Sequence, residues 1–378
     1  MENIPADLNQ PNNPQPVRPG TKISKKIWLV FILVDVIIAL VAFYTLSNTS
    51  SGKSLNPISN IKSKVIGNEK LSPTPFPFQE MTIPYLRRQN FESKLGEQVE
   101  IDQNSAYTSY LTNYQSEGLR INGLLTKPQG EAPSGGWPAI VFVHGYIPPA
   151  QYSTTGPAYS AYVDYFASRG FAVLKIDLRG HGDSEGEAGG GYFGSDYIVD
   201  TLHAYSALQN TDFVNPKKIG LWGHSMAGNI LLRSIAAKPE IPAVSIWAGA
   251  VFSYTDREKY GINDASFQMG SLSPNRQSRR RELIAKYGEP SEKSEFWRQV
   301  APTNYLGDLK GAIQLNHAVD DSVVDIGYSR DLNTLLDKTS VPHELNEYPS
   351  GGHDIEGASF IEAIENTVEF YKKYLSTD

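Results

Sequence analysis

The chain has 378 residues, no cysteine, 40% hydrophobic residues and a formal net charge of −7. Without cysteine there can be no disulfide, thiolate nucleophile or cysteine-ligated metal, and the mildly acidic balance leaves no basic stripe for nucleic acid. Histidine and carboxylate clusters with metal-ligand spacing are absent too, so neither a metal nor another cofactor is expected.

Residues 1–26 are rich in Pro, Asn and Gln and read as a disordered tail. Ile27 to Leu46 is an apolar run of about twenty residues, the length that crosses a bilayer. Its one charge is Asp35, which costs about 3 kcal/mol inside a span on insertion scales. Arg18, Lys22, Lys25 and Lys26 precede the run, and positive charge stays on the cytoplasmic side. The expectation is a single-pass cell-membrane anchor at 27–46, with its N-terminus cytoplasmic and the rest of the chain extracytoplasmic. A cleaved signal peptide is the competing reading; the long tail, the length of the run and the lack of a small-x-small site argue against it.

Residues 47–106 read as linker and adaptor. The first part is rich in Ser, Asn, Lys and Pro and ends in Pro73-Thr-Pro-Phe-Pro-Phe78, a tether that stiffens toward its prolines. Met81 to Ala106 carries apolar residues without clean periodicity. Residues 107–378 then alternate strand-like and helix-like segments, which predicts an α/β domain with a mostly parallel sheet covered by helices on both faces. Expected strands are Ile121 to Leu125, Ala139 to Val143, Ala172 to Asp177, Lys218 to Trp222, Ala243 to Trp247, Ala312 to Asn316 and His343 to Tyr348. An insertion at about 254–304, with helical stretches bounded by Gly, Ser and Pro, is expected to form a lid, and Ala358 to Tyr374 has a helical apolar period.

Three loops carry chemistry. Lys218-Ile-Gly-Leu-Trp-Gly-His-Ser-Met-Ala-Gly-Asn229 runs from an apolar strand through a tight turn into a helix, which is how a nucleophilic serine, Ser225, is presented with the Met226 N–H free to receive an oxyanion. Ala227 stands where the G-x-S-x-G pattern has its second glycine, so a methyl group must fit where strand and helix nearly touch. Ala312-Ile-Gln-Leu-Asn-His-Ala-Val-Asp-Asp-Ser-Val-Val324 ends a strand in a loop with two carboxylates; Asp321 is assigned as the acid and Asp320 as its fallback. His343-Glu-Leu-Asn-Glu-Tyr-Pro-Ser-Gly-Gly-His353 delivers His353 on a glycine turn. Serine, acid and histidine in that order at strand ends fit a nucleophile, orienting acid and base. A second oxyanion donor is expected from His144-Gly145-Tyr146, with His144 bracing the loop and Tyr146 giving its N–H. In Asp177-Leu-Arg-Gly-His-Gly-Asp183, Arg179 and Asp183 are expected to tie down a structural loop.

With Tyr114-Gln-Ser-Glu-Gly-Leu-Arg-Ile-Asn-Gly-Leu-Leu-Thr-Lys-Pro128, Val141-Phe-Val-His-Gly-Tyr146 and Asp177-Leu-Arg-Gly-His-Gly-Asp-Ser-Glu-Gly186, these segments make the chain from about Tyr107 onward resemble an α/β-hydrolase. The similarity is closest to the catalytic domain of prolyl oligopeptidase-type (S9) serine peptidases, without residues that correspond to their β-propeller. The resemblance implies a serine-type peptidase with a Ser225, Asp321 and His353 triad, acting through an acyl-enzyme on a small peptide, and it suggests the phenol of Tyr146 as an oxyanion donor. A carboxylesterase or other acyl hydrolase uses the same triad and is the first alternative; a non-catalytic membrane scaffold on a hydrolase fold is the second. A dehalogenase is disfavoured, because its elbow nucleophile would be an aspartate.

Overall fold

A computed structural model describes residues 75–375 apart from 268, 269 and 271. The span expected at 27–46 lies outside the described residues, as do the tail and most of the tether. Among the described residues, no helix is long and apolar enough to cross a membrane.

Nine strands form one sheet: β1 Val99–Gln103, β2 Tyr107–Ser116, β3 Leu119–Pro128, β4 Trp137–Val143, β5 Ala172–Ile176, β6 Val214–His224, β7 Ala243–Trp247, β8 Ala312–Ala318 and β9 His343–Tyr348. Their spatial order is β1-β2-β3-β5-β4-β6-β7-β8-β9. The pairs from β1 through β3 to β5 are antiparallel, and the remaining pairs are parallel. The helices are α1 Ile83–Leu86, α2 Ser160–Ala167, α3 Asp196–Gln209, α4 Ala227–Ala237, α5 Asp256–Tyr260, α6 Pro274–Tyr287, α7 Glu295–Val300, α8 Gly327–Leu336 and α9 Ala358–Leu375.

The central strands are apolar on both faces because both are covered. Along β4, Ala139, Val141 and Val143 enter the core shared with α3 and α4, whereas Ile140 and Phe142 enter the one shared with α2 and α9. That alternation is the period of two expected of a strand. From β4 the chain crosses to β5 on one side, and from β6 it crosses to β7 on the other. Such a reversal opens a crevice beyond the carboxyl ends of β4 and β6, and the loops at those ends carry Tyr146 and Ser225.

The compact unit begins upstream of the boundary expected at Tyr107. Val99–Gln103 pairs with β2 as the edge strand, and Met81, Ile83 and Leu86 are buried in the core with α4. A short helix and an exposed edge strand produce no readable period, which is why this stretch looks featureless in sequence. The end of the expected tether is docked as well: the Tyr287 hydroxyl donates to the Pro77 carbonyl (2.7 Å), Glu80 pairs with Arg279, and the Arg279 guanidinium lies 4.9 Å from the Phe78 ring centre. Another difference concerns the loop after β5. Arg179 binds Asp200, Asp196 and Glu117, not Asp183. Asp200 is buried on α3 and takes the Nε and Nη2 of Arg179 together with its backbone N–H, so the guanidinium is held charged in a bidentate pair inside the protein.

Candidate active site

The turn between β6 and α4 holds Ser225 at φ +56°, a left-handed conformation that side-chain-bearing residues adopt only when their surroundings enforce it. Here the Ser225 N–H donates to the Trp247 carbonyl (2.9 Å), and the Ser225 carbonyl accepts from the N–H of Gly228 (2.9 Å). The missing glycine of the motif finds its explanation in two neighbours. A methyl at Gly223 would lie 2.6 Å from the Ala227 methyl, so Gly223 yields the space that Ala227 takes. Gly228 in turn packs against Gly249, whose Cα would lie 2.7 Å from an added methyl.

The Ser225 hydroxyl donates to His353 Nε2 (2.9 Å), and His353 Nδ1–H donates to Asp321 Oδ2 (2.8 Å). The structure thus brings together serine, histidine and carboxylate residues from three loops separated by up to 128 positions in the chain. Asp321 has a fully buried side chain and takes four donors: the N–H groups of Val323 (2.8 Å) and Val324 (2.9 Å), His353, and His317 Nε2 (3.2 Å). Burial alone would raise its pKa; the hydrogen bonds from His317 and His353 outweigh it and hold the carboxyl well below the usual range. Asp320 does something different. Its exposed carboxylate accepts the N–H groups of Gly351 (3.3 Å) and Gly352 (2.8 Å), fixing the turn that carries His353.

Residues that sequence reasoning did not single out complete this frame. His317 Nε2–H also donates to the Val324 carbonyl (2.9 Å), leaving Nδ1 to accept from the Ser329 hydroxyl (2.8 Å). His224 donates Nε2–H to the His353 carbonyl (2.9 Å) and accepts at Nδ1 from Tyr159 (2.8 Å), whose oxygen accepts the Gly145 N–H (3.0 Å). One hydrogen-bond chain therefore joins the loop after β4 to the turn of His353. Burial, and after it the neighbouring His353, pushes His224 down to about 3, so it stays neutral. His144, which the sequence already assigned to bracing this loop, is likewise held to about 3 by burial and then by His181, and its ring nitrogens face the carbonyls of Gly145 (2.6 Å) and Asp177 (3.1 Å).

Two cavities meet at Ser225. The wider, about 740 Å³, is bordered by His353, Phe360, Asp264, Asp354 and Glu356. The narrower, about 440 Å³, is bordered by Met226 and by residues of the 254–304 insertion. Tyr146 borders both, its ring edge-on to Phe267 at 5.2 Å. Met226 heads α4, where the first N–H groups have no acceptor within the helix, and the Gly145 N–H is already taken by Tyr159. Among the described residues, no group of three or more metal-ligating side chains is found.

The family model for serine aminopeptidase, S33, matches residues 138–289. An uncharacterized peptidase, YtmA, of Bacillus subtilis is 24% identical over 248 residues, covering 65% of this chain and 85% of that protein. Of three other curated relatives with peptidase names, this chain spans only 34%, 34% and 25% of the length. Among solved structures, the acetyl xylan esterase of Paenibacillus sp. R4 aligns with a TM-score of 0.57 at 17% identity, covering 77% of this chain and 92% of the esterase. The acylaminoacyl peptidase of Pyrococcus horikoshii aligns with a TM-score of 0.55 at 18% identity, covering 72% and 42%. What is shared with both structures is the fold.

Proposed function

We propose, from the premise that this chain belongs to the α/β-hydrolase superfamily and is a serine hydrolase, that it is a serine peptidase whose triad is Ser225, His353 and Asp321. The observation that carries the triad is the unbroken relay from Oγ through the imidazole to a carboxylate, at 2.9 and 2.8 Å. His353, oriented by Asp321, accepts the proton as Ser225 Oγ bonds to a carbonyl carbon. The tetrahedral oxyanion is met by the Met226 N–H and a donor from Tyr146, each worth roughly 3 kcal/mol in the barrier. His353 then returns the proton to the leaving group as the acyl-enzyme forms, and water repeats the sequence to release the acid.

The leaving group must face His353, and the cavity there carries Asp264, Asp354 and Glu356. A carboxylate-lined exit suits an amine that departs and is protonated, which supports amide substrates, as do the peptidase names of the sequence relatives. The second reading is a carboxylesterase, supported by an esterase structure that aligns over 77% of this chain and 92% of its own length. The test is kcat/KM for a peptide amide and its matched ester, with the full chain in detergent and Ser225→Ala as control. Amide cleavage that depends on Ser225 is the expected result; turnover of the ester alone would move the protein to the esterases. Ile27 to Leu46 belongs to the same proposal as a bilayer anchor that leaves the triad outside the cytoplasm. Release of the full chain from membranes by alkaline carbonate would overturn that part.

A further inference from the structure

Tyr159, the residue just before α2, stands at φ +62° and ψ +8°, a left-handed conformation that a residue with a side chain holds only when its surroundings enforce it. Its ring is seated edge-on against Phe142 (5.5 Å) and Trp222 (6.1 Å) of the sheet and beside His224 (5.8 Å). The strained backbone thus places one phenol at the border of the wider cavity, together with Ser225 and His353. That phenol is used twice. Its oxygen accepts the Gly145 N–H (3.0 Å), and its proton goes to His224 Nδ1 (2.8 Å). The far side of the imidazole fixes this direction: the His353 carbonyl can only accept, so the one proton of neutral His224 is on Nε2 (2.9 Å) and Nδ1 is left as an acceptor. The contact with the loop has no slack. A methyl added at Gly145 would lie 2.6 Å from the Tyr159 oxygen and 3.1 Å from His224 Nδ1.

With its N–H on Tyr159 and its carbonyl turned to the His144 ring (2.6 Å), Gly145 has both polar groups committed, and the planar peptide that carries the Tyr146 N–H is held in one orientation. One hydroxyl therefore stands between the loop that presents Tyr146 and the turn that presents His353. The base must reach Oγ while the oxyanion donors meet the carbonyl oxygen, and a misplacement of about 1 Å can cost about a hundredfold in rate. We propose that Tyr159 is a positioning residue for hydrolysis: through Gly145 and His224 its hydroxyl fixes the oxyanion loop and the base turn relative to each other, so that its loss slows the chemical steps and leaves substrate affinity in place. The inference rests on the hydrolase reading of the Ser225 triad.

The test uses the full chain in detergent with p-nitrophenyl acetate as the probe, and reads kcat and KM separately. Tyr159→Phe keeps the ring and removes one oxygen; kcat is expected to fall about tenfold, the worth of one good hydrogen bond, with KM within about twofold of wild type. His224→Gln can still donate to the His353 carbonyl but offers no ring nitrogen to Tyr159. Because the hydroxyl works through His224, adding Tyr159→Phe to that variant should cost no more than about threefold, against about tenfold alone. Circular dichroism checks that each variant is folded. A Tyr159→Phe kcat within about twofold of wild type, a KM that rises while kcat stands, or full additivity with His224→Gln would each overturn the proposal. Should Tyr159→Phe fail to fold, His224→Gln decides alone: a loss of kcat at constant KM sustains the link, and an unchanged kcat ends it. If the wild type shows no turnover that Ser225→Ala abolishes, the hydrolase reading fails and takes this inference with it. Turnover that depends on Ser225 but survives Tyr159→Phe sinks the inference alone.

Discussion

The two walls of the Ser225 crevice are built by different means. On the sheet side, each residue of the proposed triad lies at or just beyond a strand end and is held by several hydrogen bonds: Asp321 by four donors, the His353 turn by Asp320 and His224, Ser225 by Trp247 and Gly228. On the insertion side, α6 fully buries only Leu283 of its fourteen residues, packs Ile284 and Tyr287 against the edge of the core with Tyr287 stacked on Phe296 at 3.9 Å, and otherwise leans on ion pairs and guanidinium-ring contacts. The contrast teaches a division of labour. The positions of the proposed triad are over-determined by the sheet, while the cavity wall formed by the insertion rests on fewer fully buried contacts.

Asp321→Asn attacks the sheet side at its most constrained point. It keeps the shape but removes the acceptor that fixes the His353 tautomer, and kcat should fall by about 10⁴-fold with little change in KM. A loss of under tenfold would mean that the relay is not what organises the base. The matching blow to the insertion is Leu283→Ala. Removing a fully buried leucine should cost about 2–5 kcal/mol if the insertion folds with the rest, measured by urea unfolding. A separate, earlier transition with kcat preserved would instead show that the insertion melts as its own unit, sharpening the division.

Acid should weaken the sheet side first. His144 and His224 are held to about 3 in the folded protein, against 6.5 when unfolded. The unfolded chain therefore binds more protons below 6.5, and the stability these groups provide is present above 6.5 and lost as pH falls toward 3. Each contributes a slope of about 1.4 kcal/mol per pH unit in that window. Thermal midpoints from pH 7 to pH 5 report it, and replacing His144 with Asn should flatten the decline; an unchanged profile would show that other groups set the acid limit. The smallest effect is expected from Asp320→Ala, which frees the turn beneath His353 without touching it. We expect a loss of about tenfold in kcat, an unchanged KM and partial recovery in Asp320→Asn. A fall in KM instead would place Asp320 on the substrate.

Much of the sheet side was legible in the sequence because strand ends advertise themselves. β7 and β9 begin and end where their apolar or alternating runs do, and the serine, acid and histidine follow in the order the topology requires. What stayed hidden is the set of partners. Tyr159 meets His224 across 65 positions, and Arg179 reaches Asp200 rather than Asp183 because the carboxylate that matters lies on the buried face of α3. Local spacing pointed to the residue four positions on; the fold chose one 21 positions on. The insertion was visible as helical stretches, yet nothing in Arg279-Arg280-Arg281 showed that Arg279 pairs with Glu80 or that Arg279 and Arg280 both border a cavity beside Ser225.

The docking of Pro77, Phe78 and Glu80 onto α6 has a mechanical consequence. The polypeptide enters its folded part not at a neutral corner but on the helix that also supplies Arg276, Arg279 and Arg280 to the cavity wall. A pull on the residues just upstream would therefore meet the insertion's side of the cavity first, and only then, through Met81, Ile83 and Leu86, the core around α4.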